Sequence, residues 1–372
     1  MRIGIDCRSL NGEKTGIGYY TYHLVKALTE LERNSEFCLY SSRCFNVPNR
    51  GDNVRKTAIS GLPGTLWLQT VLPFLIYKDK ISVFHAPLFI VPFVCAIPKV
   101  VTVHDLSFYI YPEKTTWRNR TILRCLLPAS IKAADAVIAD SENTRQDIIN
   151  YLGTNPEKIK VIPLAAADTF HKVYDREEFD RVKLKYGLPE KYILFVGTIE
   201  PRKNLERLIK AYKQVIDCRQ DLPHQLVMVG KLGWLYDHIL RIPYELGLDK
   251  RIQLLGYVDE ADMPFIYNGA DLFVYPSLYE GFGMPVLEAM SCGVPVITSN
   301  VSSLPEVAGN SCHLVNPLNV EELAYTIEQI LGSPALQEQL AQAGLARSRE
   351  FSWRKTAEET FKLYSEVQMG CK

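Results

Sequence analysis

The chain has 372 residues, a length that exceeds one ordinary hydrophobic core and predicts two domains. Its 42 Lys and Arg side chains balance its 42 Asp and Glu side chains, and we predict no nucleic-acid partner. The nine cysteines stand singly, without the paired spacing of a zinc site. This indicates reduced thiols in a cytoplasmic protein that binds no metal.

The chain begins with an apolar strand pattern at Arg2–Asp6, so we expect no signal peptide. The longest apolar stretch, residues 66–77, is interrupted by polar side chains and is shorter than the ~20 residues that cross a bilayer. No membrane-spanning segment is therefore predicted. The expected location is the cytoplasm, either free or at the inner face of the membrane.

Through the first 170 residues, short apolar runs alternate with longer helical patterns, which is typical of a parallel sheet with crossover helices. The predicted strands are Arg2–Asp6, Phe37–Ser41, Val83–His85, Val100–Val103, Ala136–Ala139 and Lys160–Pro163. The predicted helices lie near 17–32, 64–77, 115–133 and 142–152. We therefore expect a doubly wound α/β domain in this half.

Gly16 and Gly18 follow the first strand and open the first helix, where backbone N–H groups can meet a phosphate or a sugar. A dinucleotide-binding loop would need a third glycine where Thr21 stands. It would also need an acidic residue at the end of the second strand, where Tyr40 and Ser41 stand. The dinucleotide hypothesis therefore fails, whereas a simple turn at the start of a helix stays open.

His104 ends a predicted strand and is followed by Asp105. A single histidine there is either a structural hydrogen-bonding group or part of a site. Further along, Asp140-Ser141-Glu142 faintly resembles a metal-binding acidic triplet. We favour a structural role, with Ser141 as the cap of the next helix, so no metal is predicted.

The predicted helix at 115–133 carries basic side chains among apolar ones. The basic residues are Lys114, Arg118, Arg120, Arg124 and Lys132, and the apolar residues include Trp117, Ile122, Leu123, Leu126 and Leu127. An ordinary amphipathic helix with a solvated basic face explains this pattern. The alternative is peripheral contact with an anionic membrane surface, which would suit a lipid-linked acceptor.

Charged, turn-like sequence from Ala165 to Pro189 predicts a linker, after which a second alternating series begins. Its predicted strands are Tyr192–Gly197, Gln225–Gly230, Arg251–Gly256, Leu272–Tyr275 and Val294–Thr298, with later helices at 320–331 and 335–349. A last helical pattern runs from Trp353 to Gln368. Two doubly wound domains follow, with ligands expected outside the carboxyl ends of their strands.

Arg202 and Lys203 lie just beyond the strand Tyr192–Gly197. At this edge two cations can neutralise a departing diphosphate. Solvated charges on a loop are the alternative interpretation.

Glu280 and Glu288 flank a glycine-rich helix entrance, which is the most specific motif of the chain. Gly281 and Gly283 leave backbone N–H groups uncovered for an anion such as a diphosphate. Ionised carboxylates accept hydrogen bonds from sugar or ribose hydroxyls. The motif therefore predicts a nucleotide-sugar site, although a surface carboxylate and a favourable helix-start charge are the simpler alternatives.

The predicted helix that contains Glu288 has clear limits in the sequence. Pro285 suits a first helical turn, and Gly293 followed by Pro295 is a stop signal. We therefore predict a helix of about two turns.

The segment Glu280–Met290 resembles the donor-site motif of retaining glycosyltransferases of family 4, which have the GT-B fold. The resemblance covers nearly the whole chain and extends to Gly16-Ile17-Gly18, Val103-His104-Asp105, Ser141-Glu142-Asn143-Thr144-Arg145, Val161-Ile162-Pro163, Phe195-Val196-Gly197 with Lys203, and Phe351-Ser352-Trp353. It implies two Rossmann-like α/β domains that face a central cleft. The acceptor-side domain would be 1–170, joined by a C-terminal helix at 352–372, and the donor-binding domain would be 171–351.

The resemblance also implies roles for single residues. Glu280 would hold hydroxyls of the transferred sugar, Glu288 the nucleotide ribose, and His104 the transferred sugar. Gly16 and Gly18 would lie beside the diphosphate and the acceptor. The other implied donor contacts are Gly197, Tyr257, Val258, Gly281, Phe282, Gly283, Met284 and Leu287, of which Tyr257 and Val258 would border the base unless they simply end a core strand.

One position departs from the family pattern. The family's usual arginine directly after the glycine is replaced by Thr198, so we assign its role in phosphate binding to Arg202, beside Lys203.

The resemblance implies transfer of a hexosyl unit from a nucleotide sugar to a hydroxyl of a glycan or lipid-linked saccharide, with retention and without a metal cofactor. The segment Gly197–Asn204 is similar to that of GDP-mannose-dependent mannosyltransferases of surface-polysaccharide synthesis. Nucleotide donors of glucose, N-acetylglucosamine or rhamnose stay open. So do a nucleotide-sugar 2-epimerase, which shares the GT-B architecture, and a non-catalytic sensor of sugar nucleotides.

Overall fold

The computed structural model describes residues 1–12, 16–47, 51–62, 64–114 and 117–370. These residues fold into two compact units. The first contains Met1–Ile110, Trp117–Ala165 and the segment from Ser352 onward. The second contains the chain from Ala166 to Phe351 and a short segment that begins at Tyr111. The division falls a few residues before the predicted boundary after residue 170.

The first unit is built on a parallel sheet. Its strands are β1 (Arg2–Asp6), β2 (Glu36–Ser41), β3 (Val54–Ala58), β4 (Val83–Ala86), β5 (Lys99–Val103), β6 (Ala136–Ala139) and β7 (Ile159–Val161). Its helices include α1 (Gly16–Leu31), α2 (Gly64–Lys78), α3 (Ser107–Ile110), α4 (Trp117–Ala133) and α5 (Glu142–Leu152). Over the described ranges the strand order is β3-β2-β1-β4-β5-β6-β7. Strands β4, β5 and β6 are buried throughout, as expected when helices cover both faces of a parallel sheet.

The second unit repeats this architecture. Its strands are β8 (Tyr192–Val196), β9 (Gln225–Val229), β10 (Ile252–Gly256), β11 (Leu272–Tyr275), β12 (Val296–Ser299) and β13 (His313–Val315). Its helices are α6 (Arg176–Tyr186), α7 (Leu205–Cys218), α8 (Asp237–Glu245), α9 (Met263–Asn268), α10 (Met284–Ser291), α11 (Leu304–Ala308), α12 (Val320–Leu331) and α13 (Pro334–Ser348). The parallel order, for the part that the structure describes, is β10-β9-β8-β11-β12-β13. The predicted class of two doubly wound α/β domains is confirmed.

Three elements of the structure, β3, β13 and α6, are not predicted from the sequence, each for a physical reason. Strand β3 lies at the sheet edge and carries polar side chains, and β13 is only three residues long. The prediction of a linker from Ala165 to Pro189 is wrong for residues Arg176–Tyr186, which form helix α6. The Asp175 side chain caps its start by accepting from the Glu178 N–H at 3.2 Å, and Gly187 ends it in the left-handed conformation. Because α6 buries little besides Val182, its apolar pattern is weak.

The last helix, α14 (Trp353–Gly370), belongs to the first unit. Its Thr356 hydroxyl donates to the Pro163 carbonyl at 2.7 Å. Its Tyr364 hydroxyl lies 2.6 Å from His85 Nδ1, and His85 Nε2 lies 2.8 Å from the Thr102 hydroxyl. His85, Thr102 and Tyr364 are fully buried. These contacts therefore satisfy polar atoms that water does not reach.

Replacing Tyr364 with phenylalanine should lower the free energy of unfolding by about 1–3 kcal/mol, because buried His85 Nδ1 loses its partner. Denaturant unfolding of the wild type and the variant measures this difference. Tyr325→Phe on α12 is the control, since that side chain is 63% exposed and its loss should change stability by less than about 0.5 kcal/mol. Equal effects of the two changes would show that the contact with His85 does not stabilise α14.

Candidate functional site

Two glycines bring the carboxyl ends of β8 and β9 together. Gly197 follows β8 with a φ of 157°, and Gly230 follows β9 with a φ of 149°. Residues with a side chain rarely adopt such values. A Cβ atom on Gly230 would lie 1.9 Å from the Gly197 carbonyl oxygen. The chain therefore requires glycine here to turn sharply out of the sheet.

A single turn of 3-10 helix, Pro201–Lys203, follows this bend and carries both predicted cations. Asn204 comes next with a φ of 61°, a conformation that asparagine tolerates better than most residues. Its side-chain amide donates to the carbonyls of Pro276 and Pro317 at 3.0 and 2.7 Å. These bonds fix the turn against the segments that follow β11 and β13.

The carboxylate of Glu280 binds both cations. Arg202 donates to Oε2 at 2.9 Å, and Lys203 Nζ donates to Oε1 at 2.6 Å. The Tyr275 hydroxyl at the end of β11 accepts from Lys203 at 2.6 Å and donates to Oε1 of Glu280 at 3.1 Å. Arg202 also pairs with Glu200 at 2.8 Å. The structure thus joins three predicted site residues and adds Tyr275 and Glu200, which the sequence does not single out.

Charge pairing fixes the protonation state of this cluster. Burial alone would raise the pKa of Glu280, but the adjacent Arg202 and Lys203 outweigh it and hold that pKa at about 2. Burial lowers the pKa of Lys203 below its ordinary value, with Glu280 opposing. Glu280 is therefore ionised at neutral pH and can only accept hydrogen bonds, which suits sugar hydroxyls.

Two serines hold the loop that carries Glu280. The Ser302 hydroxyl accepts from the backbone N–H of Glu280 at 3.0 Å. The Ser303 hydroxyl lies within hydrogen-bonding distance of the carbonyls of Glu280, at 3.0 Å, and Phe282, at 2.9 Å. In the sequence, Ser303 directly precedes α11 and would be expected to cap that helix. The sequence does not predict its contact with the loop that carries Glu280.

The glycine-led entrance to α10 has the predicted form. The helix Met284–Ser291 is about two turns long, with Pro285 in its first turn, and Gly293 follows it with a φ of 69°. Gly283 precedes it with a φ of 104°, and within the described ranges no side chain caps this start. A Cβ atom on Gly283 would lie 2.7 Å from Leu304 Cδ2. Glycine is therefore required at this buried entrance, where the positive end of the helix dipole carries no side-chain cap among the residues described.

Glu288 lies within α10 and is half-buried. The Tyr267 hydroxyl donates to its Oε2 at 2.7 Å. Burial raises the pKa of Glu288 to about 7, with the Tyr267 hydrogen bond opposing and the charge of Glu260 adding to the increase. Glu288 therefore changes its charge near neutral pH, unlike Glu280.

The remaining residues of the predicted donor set differ in accessibility. Leu287 is fully buried, and Phe282 packs edge-on against Phe351 with ring centroids 5.9 Å apart, so both side chains belong to the interior. Gly281 is buried, and Met284 is half-buried.

The chain after β10 exposes an aromatic ring beside a cation. Tyr257 is half exposed, and Lys231 Nζ lies 4.8 Å from its ring centroid. Val258 is buried and belongs to the core. A flat, half-exposed ring is a surface on which a base can stack.

His104 lies in the first unit, directly after β5, and both of its ring nitrogens are engaged. Nδ1 lies 2.6 Å from Asp140 Oδ2, and Nε2 lies 2.9 Å from the Pro87 carbonyl. Because a carbonyl only accepts, Nε2 carries a hydrogen. Burial would lower the pKa of His104, but the Asp140 carboxylate outweighs burial and raises it. The imidazole therefore links the chain after β4, at Pro87, to the chain after β6, at Asp140. A contact between His104 and a sugar stays a prediction.

The other candidates of the first unit lie on helix starts. Gly16 and Gly18 fall in the first turn of α1, and the residues directly before Gly16 are outside the described ranges. The Ser141 hydroxyl accepts from the Thr144 N–H at 3.1 Å and caps α5, so the predicted helix cap is confirmed. Among the residues described, no three His, Cys, Asp or Glu side chains gather as a metal site would require.

The structure describes only some of the basic side chains of helix α4. The side chains of Lys114, Trp117 and Arg118 lie outside the described residues. Arg124 donates to the carbonyls of Phe108 and Tyr109, both at 3.1 Å, so its charge is directed inward. Of the helices in the described ranges, none has both the length and the apolar composition to cross a membrane.

The sequence matches two protein families and several named relatives. Residues 14–166 match the family described as Glycosyltransferase Family 4, and residues 176–347 match the one described as Glycosyl transferases group 1. The O-antigen chain mannosyltransferase B of Escherichia coli is 32% identical over 98% of this chain and 99% of its own length. The chain belongs to the family 4 glycosyltransferases. A second relative, the serotype-specific mannosyltransferase WbdA of E. coli, is 38% identical over 62% of this chain and 28% of its own length.

Solved structures show the same fold. The sucrose-phosphate synthase of Thermosynechococcus elongatus superposes with a TM-score of 0.79 at 22% identity, covering 99% of each chain. WaaG, a glycosyltransferase of lipopolysaccharide biosynthesis, superposes with a TM-score of 0.75 at 14% identity, covering 98% of this chain and 99% of its own. The family 4 chain therefore has the GT-B fold, and membership implies a nucleotide-sugar donor and a saccharide acceptor.

Proposed function

We propose that this glycosyltransferase moves a mannosyl unit from GDP-mannose to a hydroxyl of a glycan or lipid-linked saccharide, with retention of anomeric configuration. The relative that spans the whole chain is named a mannosyltransferase, and so is the shorter match. The Gly197–Asn204 segment supports GDP-mannose as the donor. We place the reaction in the cytoplasm, where nucleotide sugars are made.

The observation that carries this proposal is the ionised carboxylate of Glu280 on two cations, close in sequence to the start of α10, which no described side chain caps. Hydroxyls of the hexose would donate to Glu280, while the diphosphate would bind Arg202, Lys203 and the backbone N–H groups that follow Gly283. Sugar and leaving group are thereby recognised by neighbouring groups of one cluster.

Bond breaking concentrates negative charge on the leaving diphosphate. The bond between the anomeric carbon and the phosphate oxygen breaks, and Arg202, Lys203 and the helix start stabilise the charge that develops. The acceptor hydroxyl attacks the anomeric carbon from the leaving-group face, and a donor phosphate oxygen takes its proton. The two cations take the part that a metal ion would otherwise play, so the proposal needs no metal. It assigns no side chain as nucleophile, in contrast to the paired carboxylates of retaining glycosidases.

The test is a panel of nucleotide sugars, each incubated with candidate saccharide acceptors and without acceptor. GDP-mannose should be consumed only with acceptor, and NMR of the product should show the anomeric configuration of the donor. Preference for another sugar, or inversion, would overturn that part of the proposal. Turnover without acceptor, yielding an isomeric sugar, would assign an epimerase instead.

The titration of Glu288 makes donor binding depend on pH. Ribose hydroxyls donate best to the ionised carboxylate, and the pKa of Glu288 without ligand is about 7. Binding therefore favours deprotonation, and affinity should fall by about tenfold from about pH 8 to about pH 6. Isothermal calorimetry with GDP-mannose measures this, since its diphosphate diester does not titrate in the range.

Two variants identify the titrating group. Glu288→Gln should bind more weakly and lose the pH dependence. Tyr267→Phe removes a hydrogen bond that lowers the pKa of Glu288, so the same dependence should move to higher pH. A pH profile that is the same in Glu288→Gln as in the wild type would mean that another group is responsible.

A further inference from the structure

The loop between β10 and α9, residues 257–262, carries the half-exposed ring of Tyr257 and follows an edge strand. In the described part of the sheet, β10 has a neighbouring strand on one side only. Gly256, which ends β10, has a φ of 68°, and its carbonyl accepts from the Gly230 N–H at 2.9 Å. Beyond Gly256 the chain leaves the sheet. The position of the Tyr257 ring therefore depends on contacts outside the strands.

The last residue of this β10–α9 loop, Asp262, is held by α6. Its side chain is buried, and Arg181 donates to Oδ1 at 2.6 Å. Lys185 and the Tyr186 hydroxyl donate to Oδ2 at 2.7 and 2.9 Å. Burial alone would raise the pKa of Asp262, but the hydrogen bonds from these three groups outweigh burial and hold that pKa at about 2. We call the four side chains the Asp262 cluster.

The end of α6 also holds the middle of the loop. Lys185 Nζ donates to Asp259 Oδ2 at 2.6 Å, and the Tyr186 hydroxyl accepts from the Asp259 N–H at 3.3 Å. The side-chain amide of Gln253 on β10 donates to the carbonyls of Tyr186 and Gly187 at 2.9 and 3.3 Å. The last turn of α6 is therefore attached both to β10 and to the loop that follows it.

Helix α6 depends on these polar contacts. It buries little besides Val182, so apolar packing does little to hold it. The ion pairs of Arg181 and Lys185 with Asp262 join residues that are 81 and 77 positions apart in the chain. They therefore attach α6 to the β10–α9 loop rather than to its own neighbours in sequence.

The loop reaches two predicted parts of the donor site. Lys231 Nζ lies 4.8 Å from the centroid of the Tyr257 ring, on which a base can stack. The pKa of Glu288, the predicted ribose ligand, is raised first by burial and further by the charge of Glu260, which therefore lies nearby. Because Asp262 ends this loop, a shift of its backbone displaces both Tyr257 and Glu260.

We propose that Asp262 is a positioning residue for the donor nucleotide, which holds the β10–α9 loop so that the Tyr257 ring meets the base. A loop that already has its bound conformation loses little conformational freedom on binding, so the nucleotide binds more tightly. The inference rests on the proposed function for the place of the nucleotide, and not for the identity of the sugar.

A purely structural role makes a different prediction. If the Asp262 cluster only stabilised the second unit, its loss would weaken the binding of every ligand of that unit alike. If Asp262 acts through Tyr257, its loss weakens ligands that carry a base. It then spares a ligand that offers only a diphosphate to Arg202 and Lys203.

Calorimetry with GDP and with inorganic pyrophosphate tests the proposal. Asp262→Asn keeps the shape of the side chain and removes its charge. It should weaken GDP binding about tenfold, within the range of one base-stacking contact, and change pyrophosphate binding by less than about twofold. In transfer assays the KM for GDP-mannose should rise by the same factor as the Kd of GDP, while kcat stays near that of the wild type.

Variants of Lys185 make the same comparison with less disturbance. Lys185→Met leaves Arg181 and Tyr186 on Asp262 but removes the link to Asp259, so GDP affinity should fall about threefold, the usual scale of a half-exposed ion pair. Lys185→Arg should bind GDP like the wild type, because a guanidinium can also bind two carboxylates. The matched control is Lys183→Met, since Lys183 lies on the same helix and pairs with Glu190, outside the loop. It should also bind GDP like the wild type.

A double variant shows whether Asp262 acts through the ring. In a Tyr257→Ala background, Asp262→Asn should have little further effect on GDP binding, because the loop then carries no ring to position. The proposal is overturned if Asp262→Asn weakens GDP and pyrophosphate equally, if it leaves GDP binding unchanged, or if its effect is undiminished in the Tyr257→Ala background. If Asp262→Asn does not fold, Lys185→Met replaces it in each comparison.

The test also separates this proposal from the proposed function. A nucleoside diphosphate that binds the wild type more tightly than GDP replaces GDP in each measurement, so an incorrect donor base does not affect the comparison. Absence of sugar transfer together with the expected binding changes would fault the proposed function alone.

Discussion

Glu280→Gln should reduce sugar transfer by about 100-fold or more, the usual effect of removing one charged contact to a developing transition state. Glutamine is nearly the same size and still accepts a hydrogen bond, so the loss reports the negative charge that orders the hexose hydroxyls. GDP itself should bind at least as tightly as to the wild type, because Arg202 and Lys203 lose their internal counter-charge. Initial rates with GDP-mannose and calorimetry with GDP measure the two effects.

The matched control for this prediction is Glu321→Gln on α12, an exposed carboxylate that should leave both quantities unchanged. Lys203 is buried against Glu280, so Glu280→Gln should also lower the free energy of unfolding, by about 3–5 kcal/mol. Retained GDP binding then shows that the variant is folded under the assay conditions. Transfer within a few-fold of the wild-type rate would refute the assignment of Glu280 to the donor sugar.

Gly230→Ala should be among the most destabilising single substitutions in the second unit. The new methyl group would lie 1.9 Å from the Gly197 carbonyl oxygen, a distance that no small adjustment relieves. The ends of β8 and β9 must then separate, and the loss of stability should exceed about 4 kcal/mol. Denaturant unfolding gives the free energy, and the yield of folded protein gives a second, coarser readout.

Gly247→Ala separates the clash from backbone strain. Gly247 has a φ of 66°, but a Cβ atom there would meet nothing within 4 Å. Its replacement should therefore cost only about 1 kcal/mol. If both alanine variants unfold at the same denaturant concentration, the close approach of Gly230 to Gly197 does not explain the requirement for glycine.

The sequence predicts most of this fold because the parallel strands are buried on both faces. Runs such as Tyr192–Val196 are apolar throughout and stand out between helical patterns. The same reasoning fails for β3, where an edge strand has no apolar run, and for α6, where few side chains reach the core. Capping residues such as Asp175 and Gly187 mark α6 more clearly than its hydrophobic pattern does.

Some features of the candidate site can likewise be predicted from the sequence, and others cannot. The sequence pattern alone places Glu280 in the loop before a short helix and Glu288 within that helix, and the structure agrees. Spacing does not reveal that Glu280 is paired with Arg202 and Lys203, because these contacts span more than seventy residues of sequence. Nor does spacing reveal that the pKa of Glu280 is about 2 whereas that of Glu288 is about 7, since burial and neighbouring charges set each pKa.

The pairing of Glu280 with Arg202 and Lys203 has a consequence for turnover. Before any ligand arrives, the positive groups already have a carboxylate partner. A bare phosphate must compete with that partner, whereas an intact sugar donor offers hydroxyls that occupy it. In the proposed reaction, Glu280 would lose those hydroxyls once the sugar has been transferred and would again compete with the spent nucleotide for the same cations. The cluster would thus retain substrate and help to eject product.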